Sequence, residues 1–194
     1  MAIRKDIPQY YPETRQQWRA WLVENHTNSD GVWLVYYKKN TNKPTVTYDE
    51  AVEEALCFGW IDSIPNKLDD KRFKQLFSPR NLKSPWSKLN KERVALLLEN
   101  GSMTEAGLAK IEAAKENGYW TIYDPVEALK IPNDLQEALS ANPSAESYFA
   151  AFAPTYKKGI LWWIISAKRP ETRQKRINKT VAMAKQNLKA NFDR

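Results

Sequence analysis

Between Glu54 and Arg93 the segments LCFGWIDS, RFKQLFSPR and SPWSKLNKER interrupt their apolar positions with Asp62, Ser63, Arg72, Arg80, Ser87 and Asn90. A stretch serving only as core would alternate or repeat its apolar residues, so this mixture of carboxyl, guanidinium, hydroxyl and indole groups reads as a site. Trp60 and Trp86 are each flanked by polar or turn residues: Gly59 and Asp62 around one, Pro85 and Ser87 around the other. Together with Tyr36, Lys38, Asp62, Arg72, Arg80 and Ser87 they predict an aromatic and cationic cleft for a small anionic or planar ligand. That cleft is expected between a small sheet and the SPRNLKSPWS loop; plain packing is the other reading of the same rings. No catalytic set is assigned. The one enzyme reading is carboxylate chemistry at Asp62, as a general base with Ser63, Ser87 or Tyr36 beside it. Its competitor is a structural link from Asp62 to an arginine or to backbone.

Other chemistries lack their residues. Nucleophilic catalysis of the Ser-His-Asp or Cys-His kind needs an imidazole beside the nucleophile, and the single histidine, His26, lies in the turn-like NHTNSDG. The single cysteine, Cys57, ends an apolar helical stretch and reads as an ordinary buried thiol. One histidine and one cysteine make no zinc cluster. Asp69 and Asp70 precede Lys71 and Arg72, a polar-turn pattern rather than an oxygen cage shared with Asp62. None of the six glycines forms a phosphate-cradling GxGxxG or GxxxxGK loop. No metal and no cofactor are therefore assigned.

The net charge of +7 is unevenly distributed. Residues 155–194 hold 11 of the 30 Lys and Arg residues against only Glu171 and Asp193. Residues 1–154 are left with 19 basic and 21 acidic residues, so the basic character belongs to the C-terminal helices. That asymmetry supports an alternative function, binding of nucleic acid or another acidic partner, with a solvated helix face as the plain explanation. No RNP-type or helix-turn-helix motif accompanies it. The start, MAIRKDIPQYYPETRQQW, has no signal-type apolar run, and the longest apolar run, GILWWII, is too short to span a bilayer. With one cysteine and no transmembrane segment, the expected setting is cytoplasmic. Oligomeric state is left open.

Which elements would hold these residues? Trp18, Trp21 and Leu22 recur at helical spacing after Pro12, and Val32–Lys39 is β-branched and aromatic enough to be a strand. Thr47 with Glu50 is a capping-box pattern for a helix from about Tyr48 to Phe58, closed by Gly59. WIDSI and the pieces 66–68 and 72–77 complete a small antiparallel sheet. Ser87 and Thr104 then cap helices ending near Gly101 and Gly118. Beyond, Asp124-Pro125, Ile131-Pro132, Asn142-Pro143, Thr155 and Pro170 mark helix starts. The expectation is α+β, with a small antiparallel sheet and helices in 1–118 and an all-helical part in 119–194, the two packed together as two parts or as one domain. In the last helix Ile177, Val181, Ala184 and Leu188 form an apolar stripe. Arg173 projects near that stripe and should reach an acid or carbonyl groups.

Taken together, CFGWIDS, LFSPR, SPWSKLNKERV, GSMTEAGLAKIEAAKENGYW and AKRPETRQKRI resemble the YdeI/OmpD-associated, or bacteriocin-protection, family over nearly the whole chain. The resemblance implies a small soluble bacterial protein of stress or bacteriocin tolerance, with no agreed enzymatic activity. AKRPETRQKRI carries the likeness most strongly. Within it Arg173 and Arg176, with Lys179 beyond, read either as ties to the rest of the fold or as an anion- or partner-binding set.

Overall fold

The computed structural model describes residues 7–192 in two compact units that divide after Thr121. The first six residues and the last two, which belong to the terminal stretches read above, lie outside the described residues.

In the first unit, helix α1 (Arg15–Asn25) is started by Thr14, whose side chain accepts from Gln17 N, and it buries Trp18 and Leu22. Strand β2 (Val32–Tyr37) follows, then helix α2 (Tyr48–Cys57) behind a complete Thr47/Glu50 capping box. Gly59 ends α2 at φ +71, a left-handed backbone that glycine adopts without cost. A Cβ there would stand 2.8 Å from Ala106 O. The chain turns into β3 (Trp60–Lys67) and returns as β4 (Arg72–Pro79), so the short extended pieces merge into one hairpin.

With Gln9–Tyr10 as β1, the sheet order is β1-β2-β4-β3, with β4 antiparallel to both neighbours. The expected antiparallel sheet gains a strand that the sequence did not signal. Gln9–Tyr10, β1, is only two residues long, too short for a periodic pattern, and runs parallel to β2, making the sheet mixed. The register of β3 shifts between Asp62 and Pro65, where proline has no N–H for the ladder. Alternation does the rest. Val32, Leu34, Tyr36, Phe77 and Trp60 join Trp18, Leu22 and the buried side of α2 in one apolar cluster. Helices α3 (Lys88–Glu99) and α4 (Glu105–Glu116) add Val94, Leu97, Ile111 and Ala114 to it. Ser87 caps α3 as expected, but Thr104 does not cap α4; its hydroxyl donates to Cys57 O at 2.6 Å.

The second unit is helical: α5 (Asp124–Glu127), α6 (Asn133–Ser140), α7 (Pro143–Ala151), α8 (Pro154–Ile165) and α9 (Pro170–Ala184). Its own core includes Leu135, Leu139, Phe149, Ile160, Leu161, Ile164, Ile177, Val181 and Ala184. Leu188 is not part of the α9 stripe. The helix stops at Ala184, Asn187 takes φ +56, and Leu188 is left 49% exposed. Among the described residues no helix is long and apolar enough to cross a membrane.

Candidate functional site

The polar residues that the fold gathers are Asp62, Tyr36, Tyr48, Gln75 and Arg80. Period-two alternation along β4 puts Gln75 between Phe73 and Phe77 on the inward face, opposite Leu34, and Asp62 opposite Phe77. Gln75 Nε2 donates to Asp62 Oδ2 at 2.9 Å and to Ser63 O at 3.1 Å. Tyr48, first residue of the capped α2, donates its hydroxyl to the same Oδ2 at 2.9 Å. Asp62 is thus held by two neutral donors from two elements. Beside Tyr48, Asp49 pairs with Arg93 of α3, and Arg93 also donates to Asn90 Oδ1 at 3.0 Å.

Arg80 follows β4 and is anchored by its backbone N–H on Gly59 O at 2.9 Å. Its guanidinium carbon lies over Trp86, 3.7 Å from the ring centroid, and one amino group donates to Pro85 O at 2.5 Å. The side chain is only 4% exposed, yet Nε and the other amino nitrogen have no partner among the described residues. Burial pushes the Arg80 pKa down to about 10, with the nearby Asp62 charge pulling the other way, so the group is protonated at neutral pH. The Tyr36 hydroxyl, like that of Thr45, is also buried without a partner among the described residues, on a ring stacked against Phe73 at 4.9 Å. Burial first, then the Asp62 charge and Tyr48, raises the Tyr36 pKa. Tyr48 is pushed up to about 12 by burial and by its bond to Asp62. Both tyrosines are therefore neutral hydrogen-bonding groups at physiological pH.

The predicted cleft residues do not all meet. Tyr36, Asp62 and Arg80 share one neighbourhood, with Trp86 as the platform under Arg80. Trp86 itself is 1% exposed, covered by Arg80 and by Trp120 at 5.0 Å, so its ring offers no free face for a planar ligand. Trp60 is equally buried and serves as core, its indole N–H donating to His26 O at 3.1 Å. Its polar flanks suggested otherwise, but Gly59 has no side chain and Asp62, on the same inward face two residues on, is held by Gln75 and Tyr48. Lys38 and Arg72 lie at the far end of the sheet, where Arg72 pairs with Asp69 at 2.7 Å and faces Tyr37. Ser87 is occupied as the cap of α3.

His26 lies in the turn after α1 as expected, but it is half-buried, with Nδ1 2.8 Å from Leu22 O. Cys57 is buried as expected, which pushes its thiol up to about 11. Asp69 Oδ1 accepts from Lys71 N and Arg72 N, the polar turn foreseen for the acidic pair. Among the described residues no group of three His, Cys, Asp or Glu could hold a metal ion. A concavity of about 330 Å³ lies elsewhere, lined by Glu53, Arg93, Leu96, Leu97, Glu99 and Asn100. Sequence reasoning missed Tyr48 and Gln75. A polar residue at the inward phase of R-F-K-Q-L-F is the signal that marks Gln75; Tyr48 had none, because its partner lies 14 residues away.

In the second unit, Arg173 makes the link to an acid that its position predicts. It grips Asp134 through two bonds of 2.6 and 2.9 Å. Arg176 donates to Trp163 O and stacks on that ring at 5.2 Å. Lys179 is exposed on α9.

Comparison with known families follows the same division. Residues 128–187, spanning α6 to α9, match the family model described as bacteriocin-protection, YdeI or OmpD-associated. Residues 10–110, more than half of the chain, match a model described as a domain of unknown function, and the chain belongs to that family, DUF8412. The YdeI/OmpD-associated likeness, read from the sequence over nearly the whole chain, is thus carried by the helical unit; CFGWIDS, LFSPR and SPWSKLNKERV fall within the other match. No curated protein and no solved structure matches the chain.

Proposed function

We propose that the first unit binds a small anion at the Tyr36, Asp62 and Arg80 cluster. The observation that carries this reading is the Arg80 guanidinium, buried to 4% exposure with two donor nitrogens unpartnered. Leaving a buried charged donor unmet costs about 1–3 kcal/mol or more, and an oxyanion supplies the missing acceptors with charge assistance. Nε and the free amino group point from different edges of the guanidinium, which favours a ligand with more than one acceptor oxygen. Asp62 offers acceptor capacity beside them, so a carboxylate that also carries a hydroxyl or amino donor fits best. Tyr48, 44% exposed above Asp62, is the group such a ligand would displace.

The test is thermal stabilisation across small hydroxy and amino carboxylates and phosphates, comparing wild type with Tyr36→Phe and Arg80→Lys. A ligand that stabilises wild type and loses most of its effect in both variants supports the reading. No stabilisation across the panel, or equal stabilisation of all three proteins, overturns it. The description of the family model matched by residues 128–187 supports a role in bacteriocin protection, which we extend to stress tolerance in a bacterial cytoplasm. Loss of tolerance on gene deletion, restored by wild type but not by Tyr36→Phe, is the expected outcome there.

A second reading rests on the exposed Lys168, Arg169, Lys175, Lys179 and Lys185 of the basic C-terminal region. These residues support an acidic partner, whose binding would fall steeply with salt.

A further inference from the structure

We propose that the outward face of the first unit's sheet is a platform for single-stranded nucleic acid, independent of the anion site on the inward face. The register sets Trp33, Val35 and Tyr37 of β2 opposite Leu76, Lys74 and Arg72 of β4. These residues alternate with Leu34, Tyr36, Phe77 and Gln75, so they occupy the side opposite the helix-covered cluster. Trp33, Tyr37, Lys74, Leu76 and Arg72 are all half-exposed. A half-exposed tryptophan and tyrosine on either side of the buried Val35, each with a cation beside it and Tyr37 meeting Tyr11 edge-on at 5.1 Å, are the juxtaposition that a base and its phosphate require. Lys74 Nζ stands 4.5 Å from the Trp33 ring centroid, and the Arg72 guanidinium 5.9 Å from that of Tyr37.

Charge extends from that face to the strand ends. Lys38 N–H bonds Lys71 O at 2.9 Å, which brings the exposed Lys38 and Lys71 together beside Arg72 and Tyr37. Asp69 and Asp70, the acids of this turn, pair with Arg72 and Lys67. Lys38, Lys71 and Lys74 therefore give the rim a positive excess. At about 3.4 Å per residue, Trp33 and Tyr37 are roughly 14 Å apart, so each ring would take a different base of one strand. A mixed row of rings and flexible cations suits a polyanion with exposed bases better than a duplex, whose bases are already stacked.

Fluorescence anisotropy with labelled oligo-dT and oligo-U, using the full chain, tests this. Binding at low salt should weaken by roughly 50-fold between about 50 and 200 mM salt if about four phosphates are contacted. Trp33→Ala or Tyr37→Ala should each cost about tenfold. Lys74→Glu should weaken binding with both rings retained, which covers the case in which a ring variant fails to fold. Lys115→Glu, at an exposed position of α4, should leave it unchanged, and Lys175→Glu with Lys179→Glu on α9 separates this face from the basic C-terminal region. Absence of binding at low salt, equal affinity for the corresponding duplex, or loss through the α9 variants with Lys74→Glu silent would each overturn the proposal.

Discussion

At the scale of single residues, the inward cluster combines one satisfied carboxyl group with three unpartnered donor atoms, two nitrogens of Arg80 and the Tyr36 hydroxyl. The Tyr36 hydroxyl is buried without a partner, so Tyr36→Phe should leave stability unchanged or raise it by up to about 1 kcal/mol in urea unfolding. A loss above about 1 kcal/mol would mean that the hydroxyl is bonded. Tyr48 gives a pH signature. Its folded pKa, near 12, lies above the ordinary 10, so the unfolded chain releases the proton first. Below pH 10 the contribution is complete, and it is lost as pH rises towards about 12. Tyr48→Phe should flatten that part of the stability profile, and the difference in tyrosinate absorbance between the two proteins should appear late, nearer pH 12 than 10.

At the scale of elements, caps decide where the site residues stand. The Thr47/Glu50 box fixes the first turn of α2 and hence Tyr48; Thr47→Ala should cost about 1 kcal/mol by thermal or chemical denaturation. Gly59 is more demanding, because a side chain there meets both a left-handed backbone and Ala106 O. Gly59→Ala should cost about 2 kcal/mol or more, with soluble expression and Tm as the readout. These features were legible in the sequence because a cap is a local pattern: Thr47, Gly59, Ser87 and the X-Pro starts of α5 and α7 all stand within four residues of what they do. The sheet was legible apart from β1, whose two residues carry no period. The site was legible only as a neighbourhood. Asp62, Arg80 and Tyr36 do share it, but Trp60 and Trp86 turned inward, and the Tyr48 and Gln75 bonds join residues 13 or 14 apart whose meeting depends on register.

At the scale of the whole molecule, each unit has its own core, and the family matches fall on either side of the division. The Arg173–Asp134 pair ties α9 to α6 within the helical unit. Arg173 holds the Asp134 carboxyl below its ordinary 3.8, so that contribution is present above 3.8 and lost as pH falls further. Asp134→Asn should cost the helical unit about 0.5–1 kcal/mol, seen as faster hydrogen exchange in α6 and α9 and unchanged exchange in β2 and β4. The central claim concerns the other unit, that Arg80 is buried to receive an acceptor from outside the chain. Nitrogen-15 NMR of the Arg80 side chain, titrated with the carboxylate that stabilises best, tests it most directly. A saturable shift of the Arg80 Nε–H signal, absent in Tyr36→Phe at the same concentration, is the predicted result. An Nε–H signal that stays put while the protein is stabilised would contradict it.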